Sequence, residues 1–282
     1  VAIVILHVLN GDCTRGVLRQ SGIPGAQLVW ADVFHDGPVP DVPDAELRAI
    51  RAGRMLREME QRDAALDRFA DYEEVVFWFE HDLYDQTILI RHLDWLGRTD
   101  PGTTKFSLVC IGAFPGRPNF AGLGELSPPE LATLFPGRRP ITAAQIDLGT
   151  EIWKRFRASD PTALVEWVML DDTSTLPFLT GALHRHLQDF PATANGLSRS
   201  ESQILRAVAA GHRRPVDVFV ATQEMEERIY MGDLTFWDIV RRLAAGNRPL
   251  LAIDGPIGDE MPLNAQLELT ADGRDVLAET AD

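Results

Sequence analysis

Cysteine is scarce in this 282-residue chain: Cys13 and Cys110 are its only two, they form no CxxC pair, and no matching Cys/His spacing accompanies them. A disulfide framework and a structural zinc finger are thereby excluded. Long hydrophobic runs are missing too. No apolar stretch reaches the roughly 18 to 20 residues that cross a bilayer, and the opening run 1–9 has no basic start before it meets Asn10-Gly11-Asp12. That run reads as a strand rather than a secretory signal, so no membrane partner and a cytoplasmic location are expected. Positive charge is in short supply, with 27 Lys and Arg against 42 Asp and Glu for a formal charge of -15. Such a balance repels phosphate backbones unless the basic residues gather on one face. Neither a P-loop nor GxGxxG stands in the first loop, and no named metal motif such as HExxH is present.

What is present belongs to a folded chain, with 45% hydrophobic and 24% charged residues, and the length favours two domains. The first third alternates apolar runs with helical patterns: Ile3 to Leu9 then Cys13 to Gln20, Gln27 to Val33 then Asp44 to Gln61, Glu74 to Phe79 then Gln86 to Leu96, and Lys105 to Ile111. This alternation predicts an α/β fold, an open and mostly parallel sheet of about four strands with flanking helices. The run Val75 to Phe79 is apolar on successive residues, as in a strand buried on both faces. From 121 to 194 strand signals stop and helix starts take over, at Ser127-Pro128-Pro129-Glu130, Thr142-Ala143-Ala144-Gln145 and Asp160-Pro161. Residues 195–282 then read as three helices (Ser198 to Ala210, Val216 to Glu226, Asp233 to Ala244), two apolar runs about an acidic loop, and a last helix opened by Thr270. That is the order of a winged-helix-like α+β domain. The expected division is an α/β domain over 1–120, a helical segment over 121–194 and the winged-helix-like domain over 195–282.

In a parallel sheet the loops leaving the strand carboxyl ends collect on one edge, where ligands bind. This chain loads that edge with His7 carried by the first strand and Asn10, Gly11, Asp12 and Thr14 at its exit, His35 and Asp36 after the second, and Glu80, His81, Asp82, Asp85 and Gln86 after the third. One cleft holding His7, Asp12, His35 and the 80–85 loop is the prediction. Free N–H groups at the first helix start could receive an anion through Asn10, Gly11 and Thr14, unless Asp12 caps that helix with its own carboxylate. Mixed imidazole and carboxylate suits zinc, manganese or iron, and equally acid/base work by His7, Asp12, Glu80, His81, Asp82 and Asp85. The competing structural reading is a histidine–carboxylate network that pins the loops. Arg117, after Phe114-Pro115-Gly116, is a further anion contact unless the turn alone explains it. A thiolate at Cys13 is disfavoured by the neighbouring acid, Cys110 reads as core, and Trp78, Trp95, Trp153 and Trp167 read as packing.

Residues 195–282 carry nine arginines against fifteen acids, a net of -6. Duplex DNA is therefore disfavoured as a partner of this region, with clustering of Arg213, Arg214, Arg241, Arg242 and Arg248 on one face as the escape route.

Four blocks carry a family resemblance: Leu6-His7-x-x-Asn10-Gly11-Asp12-x-Thr14, then Trp78-Phe79-Glu80-His81-Asp82-Leu83-Tyr84-Asp85-Gln86, and near the end Gly196-Leu197-Ser198-Arg199-x-Glu201 and Met231-Gly232-Asp233-Leu234-Thr235-Phe236-Trp237. In these the chain resembles the bacterial family catalogued as domain of unknown function number 1835, in its longer form. The first two blocks cover about the first 120 residues, and Cys13 departs from the Ser or Ala more usual there. The resemblance implies the α/β fold and supports the choice of His7, Asp12, Glu80, His81, Asp82 and Asp85, but supplies no reaction and no cofactor. The sequence thus leads to a site for an anionic or nucleotide-like metabolite, binding or catalytic. The alternative is a ligand-sensing regulator or protein-interaction module acting through the C-terminal domain. Homo-oligomerisation is compatible with either.

Overall fold

A computed structural model describes residues 4–118, 120–170 and 175–280, except the side chain of residue 54. Ile3, where the first apolar run begins, lies outside the described residues. The chain divides into two units, 1–183 and 184–282. The first alternates strand and helix through β1 (Ile5–Leu9), α1 (Asp12–Gln20), β2 (Ala26–Val29), α2 (Asp44–Ala52), α3 (Leu56–Asp67), β3 (Glu74–Glu80), α4 (Leu83–Gly97) and β4 (Lys105–Ile111). These four strands are parallel and ordered β2-β1-β3-β4. Register sets Leu9 beside both Val29 and Trp78, and Glu80 beside Ile111. All seven positions of β3 are buried, because a central parallel strand is covered on both faces. Val76 and Trp78 pack with Leu9, Leu18 and Leu131 on one face, while Phe77 and Phe79 meet His92 of α4 on the other.

The sequence pattern over 44–61 reads as one helix, yet the chain makes two. Gly53 takes φ +50°, a left-handed conformation that side-chain-bearing residues rarely adopt, and a 3-10 turn over Gly53–Met55 separates α2 from α3.

The stretch read as helical, 121–194, continues the first unit as far as residue 183. It runs through α5 (Pro128–Leu134), a two-residue strand β5 (Arg139–Pro140), α6 (Ala143–Phe156) and α7 (Thr162–Leu170). β5 pairs antiparallel with β4 at the sheet edge, where the missing N–H of Pro140 removes no ladder bond from a further strand. The capping boxes of Ser127 with Glu130 and Thr142 with Gln145 form as their spacing predicts. Leu131 of α5 enters the core under β1 and β3, and α6 packs along α4.

α8 (Leu179–Leu187) carries the chain into the second unit, which starts eleven residues before the expected boundary at 195. The reason is Arg185: buried, it donates to both carboxylate oxygens of Glu226 (2.7 and 2.9 Å) and to Ser200 Oγ (2.8 Å). Asp189 accepts from Ser200 and from the Tyr230 hydroxyl. The unit then follows the expected order, α9 (Arg199–Ala209), α10 (Pro215–Gln223), α11 (Asp233–Leu243), an antiparallel hairpin of β6 (Leu251–Asp254) and β7 (Gln266–Leu269), and α12 (Ala271–Leu277). Ser198 and Glu201 form the box that starts α9, and the Thr270 hydroxyl caps α12. Its core gathers Ile204, Leu205, Val218, Phe236, Trp237, Val240, Leu251 and Leu267. Among the described residues no helix is long and apolar enough to cross a membrane.

Candidate functional site

The strand order fixes where a site can form. The chain leaves β1 towards β2 on one side and leaves β3 towards β4 on the other, so the loops after β1 and β3 diverge and open a crevice at their carboxyl ends. Asn10 ends the first strand's run and Glu80 is the last residue of β3. The buried Asn10 amide donates to Glu80 Oε1 (2.9 Å) and Asp85 Oδ2 (3.0 Å), while its Oδ1 accepts from Thr14 Oγ1 (2.8 Å). Two carboxylate acceptors on one side and a hydroxyl on the other fix which way the amide points. The Tyr84 hydroxyl donates to the Asn10 carbonyl at 2.8 Å.

The start of α4 folds back on β3 by the same economy. Asp82 caps the helix, its Oδ1 accepting from the Asp85 N–H at 3.0 Å. Asp85 Oδ1 in turn accepts from the Glu80 N–H (3.0 Å), and Gln86 Nε2 donates to the Glu80 carbonyl (2.5 Å). From much later in the chain, the Leu123 N–H donates to Glu80 Oε1 at 2.6 Å. Gly122 makes this approach possible: a Cβ there would lie 2.5 Å from Glu80 Oε2.

The result is three buried carboxyls, Glu80, Asp82 and Asp85, with one oxygen of each within 4.8 Å of the others. Burial pushes the Glu80 carboxyl up to about 8, helped by the charge of Asp82 and opposed by the Leu123 and Asn10 hydrogen bonds. Burial, then Asp82 and Glu80, also holds Asp85 well above the ordinary carboxylate range. Three anions cannot share so small a dry volume; protons or a cation must neutralise part of the charge. All the available ligand atoms of this trio are oxygens, which suits a hard cation such as Mg²⁺, Mn²⁺ or Ca²⁺ better than the imidazole-containing set read from the sequence.

Of the residues expected on this edge, the structure brings together Asn10, Thr14, Glu80, Asp82, Asp85 and Gln86. His35 comes to the same place, its ring edge-on to Tyr84 at 6.2 Å. Asp36 lies in the loop after β2, where its carbonyl accepts from Arg51 at 3.1 Å. His81 is wedged beside the rings of Phe120 and Phe178, 6.3 and 6.0 Å between centroids. Three expectations are corrected. His7, expected at the cleft, is engaged inside β1 instead: Trp78, two residues before Glu80 on the same face of β3, donates to His7 Nδ1 (3.1 Å), and Nε2 meets the Pro24 carbonyl (3.2 Å). Both ring nitrogens are spent, and burial holds the imidazole below its usual range in the neutral form. Asp12 points to solvent and pairs with Arg15 at 2.6 Å; it is the first residue of α1 rather than its cap, a position held by Gly11 with no side-chain bond. Arg117 is paired with Glu130 at 2.8 Å.

Cys13 is exposed. The Cys110 thiol, pushed up to about 12 by burial, sits 3.5 Å from the Glu80 carbonyl. Sequence reasoning missed Tyr84, Gly122 and the Leu123 N–H. Tyr84 stood inside a quoted block, whereas nothing local marks a backbone donor 43 residues from its acceptor. No family model matches this chain, and no curated protein matches it.

Proposed function

We propose that the first unit is a cytoplasmic small-molecule site for an anionic or nucleotide-like metabolite, centred on the crevice between β1 and β3. The observation that carries this reading is the buried Glu80, Asp82 and Asp85 trio, whose ligand oxygens fall within 4.8 Å at the end of a rigid strand. Such a group costs stability unless something neutralises it, which is the expected signature of a site rather than of packing. In its protonated form Glu80, raised to about 8, is a general acid held near neutral pH. In its ionised form the trio would hold a divalent cation through its carboxylate oxygens, and the cation would supply positive charge for an anionic ligand. Asn10, Thr14, Tyr84 and Gln86 position the carboxyls. Membership of family number 1835 is part of the proposal, because Asn10, Thr14, Glu80, Asp82, Tyr84, Asp85 and Gln86 fall in the first two blocks of that resemblance.

For the second unit we propose a winged-helix-like domain that contacts protein rather than duplex DNA. Support comes from its arginines: Arg213 pairs with Glu268, Arg214 with Asp217, Arg241 with Asp238 and Asp259, and Arg248 with Asp272. A phosphate would have to displace a carboxylate at each.

Thermal shift with Mg²⁺, Mn²⁺ and Ca²⁺, each with and without nucleotides and phosphorylated metabolites, tests the first reading at pH 6 and pH 8. Cation binding displaces protons, so the shift is expected to be larger at pH 8 and to vanish in Glu80→Gln and Asp85→Asn. Absence of a shift with every cation and metabolite at both pH values refutes it.

A further inference from the structure

Beside β2 lies a second buried charge network that shares no residue with the carboxyl trio. Arg51 of α2 donates to Asp32 Oδ1 (3.1 and 3.0 Å) and to the carbonyls of Val33 (2.7 Å), Asp36 and Pro38 (3.1 Å each), so one guanidinium pins the loop after the strand. Arg62 reaches Asp32 Oδ2 at 3.7 Å, Arg48 meets Asp63 at 2.6 Å, and Arg91 of α4 reaches Asp44 at 3.6 Å. Arg62 and Arg91 both stand over the Trp30 ring, 3.7 and 4.4 Å from its centroid.

These side chains wall a cavity of about 20 Å³, room for one water-sized group. The walls carry four guanidiniums and three carboxylates. Arg98 and Asp94, which extend the Asp44 pair outwards, cancel one another. One positive charge is left over, and an arginine cannot shed its proton to relieve it. Two donors are idle as well: Arg91 Nη1 and Arg48 Nε are buried and meet no hydrogen-bond acceptor among the described residues. Arg91 is only 7% exposed. Water in the cavity could relieve an idle donor but would leave the charge; an anionic oxygen answers both needs.

We propose that this cavity is an oxyanion seat, in which one oxygen of a phosphate group accepts from Arg91 Nη1 and Arg48 Nε while the rest of the group occupies the cavity mouth. The inference stands independently of the carboxyl trio. Titration calorimetry of the full chain with inorganic phosphate, at constant ionic strength and with chloride as the balancing anion, tests it. Wild type is expected to take up phosphate saturably. Arg48→Lys keeps the charge but lacks the Nε–H, and is expected to bind roughly tenfold more weakly or worse, the worth of one charge-assisted hydrogen bond. Arg91→Lys should behave alike; where it fails to fold, Arg48→Lys decides, since the Arg48 side chain is 20% exposed and more forgiving. No saturable binding up to about 50 mM phosphate, or equal binding by wild type and Arg48→Lys, overturns the proposal. A nucleoside monophosphate distinguishes the source: tighter binding than inorganic phosphate assigns the seat to a phosphate ester, and equal or weaker binding assigns it to the free ion.

Discussion

The carboxyl trio at the end of β3 gathers three acids around a neutral amide, whereas the network beside β2 gathers four guanidiniums among three carboxylates. Both are largely buried. Their chemistry differs in what it can do about excess charge. A carboxyl can take up a proton, and the upward shifts of Glu80 and Asp85 are that response. A guanidinium has no such recourse near neutral pH, so the arginine network depends on its counter-ions. The first cluster should therefore be sensitive to pH and forgiving of neutral replacement; the second should be the reverse.

The largest effect is expected from removing a counter-ion. Asp32 receives two hydrogen bonds from Arg51 and lies 3.7 Å from Arg62. Asp32→Ala takes from Arg51 its carboxylate partner and from Arg62 one of its two, leaving buried positive charge under-compensated, and should cost about 3–5 kcal/mol of unfolding free energy. Chemical denaturation measures it, and a loss below about 1 kcal/mol, the scale of an exposed pair, would erase the contrast between the clusters.

The carboxyl trio should answer to pH with the opposite sense from the buried histidines. Glu80 titrates near 8 when folded against an ordinary value of 4.5. The folded state holds the extra proton between those values, so in the cation-free protein stability falls as pH rises across that window, by up to about 1.4 kcal/mol per unit. His7 and His92, both held below 6.5 by burial, work the other way: stability falls as pH drops below 6.5. The difference between wild type and Glu80→Gln isolates the carboxyl. The variant should be the more stable at pH 8, by about 1–3 kcal/mol, with the gap closing towards pH 4.5. A gap that widens on acidification would reverse the assignment.

Much of this edge could be read from residue order. An unbroken apolar strand delivering Glu80-His81-Asp82 into a helix start, and Asn10 after the first strand, sufficed to nominate the acids. Which way each side chain turns could not be read, because that depends on partners brought by the fold. His7 is one pleat short of the edge and under Trp78; Asp12 is rotated outwards on α1. The arginine network escaped notice for a related reason. Arg48 and Arg51 on α2, Arg62 on α3 and Arg91 on α4 come together only through the packing around Trp30.

Tyr84 probes the link between the carboxyl trio's edge and the loop after β2, since its hydroxyl bonds the Asn10 carbonyl and its ring faces His35. Tyr84→Phe should cost about 1 kcal/mol, one neutral hydrogen bond, without changing the pH slope assigned to Glu80. A lost slope would mean that the hydroxyl, rather than burial, governs the carboxyl.

The smallest effect calibrates the buried network against an exposed pair. Arg248 meets Asp272 at 3.2 Å with side chains 60% and 37% exposed. In water the two charges are well solvated apart, so Arg248→Ala should change stability by no more than about 0.5 kcal/mol. The same variant tests the second unit's partner class, because a group that spends its charge on a neighbouring carboxylate contributes little to phosphate binding. Full-length protein titrated with mixed-sequence duplex DNA is expected to show no sub-micromolar binding at physiological salt, in wild type and Arg248→Ala alike. Were wild type to bind tightly and the variant to lose about one unit of the salt dependence, Arg248 would be a phosphate contact. The regulator reading would then displace the protein-contact one for this unit.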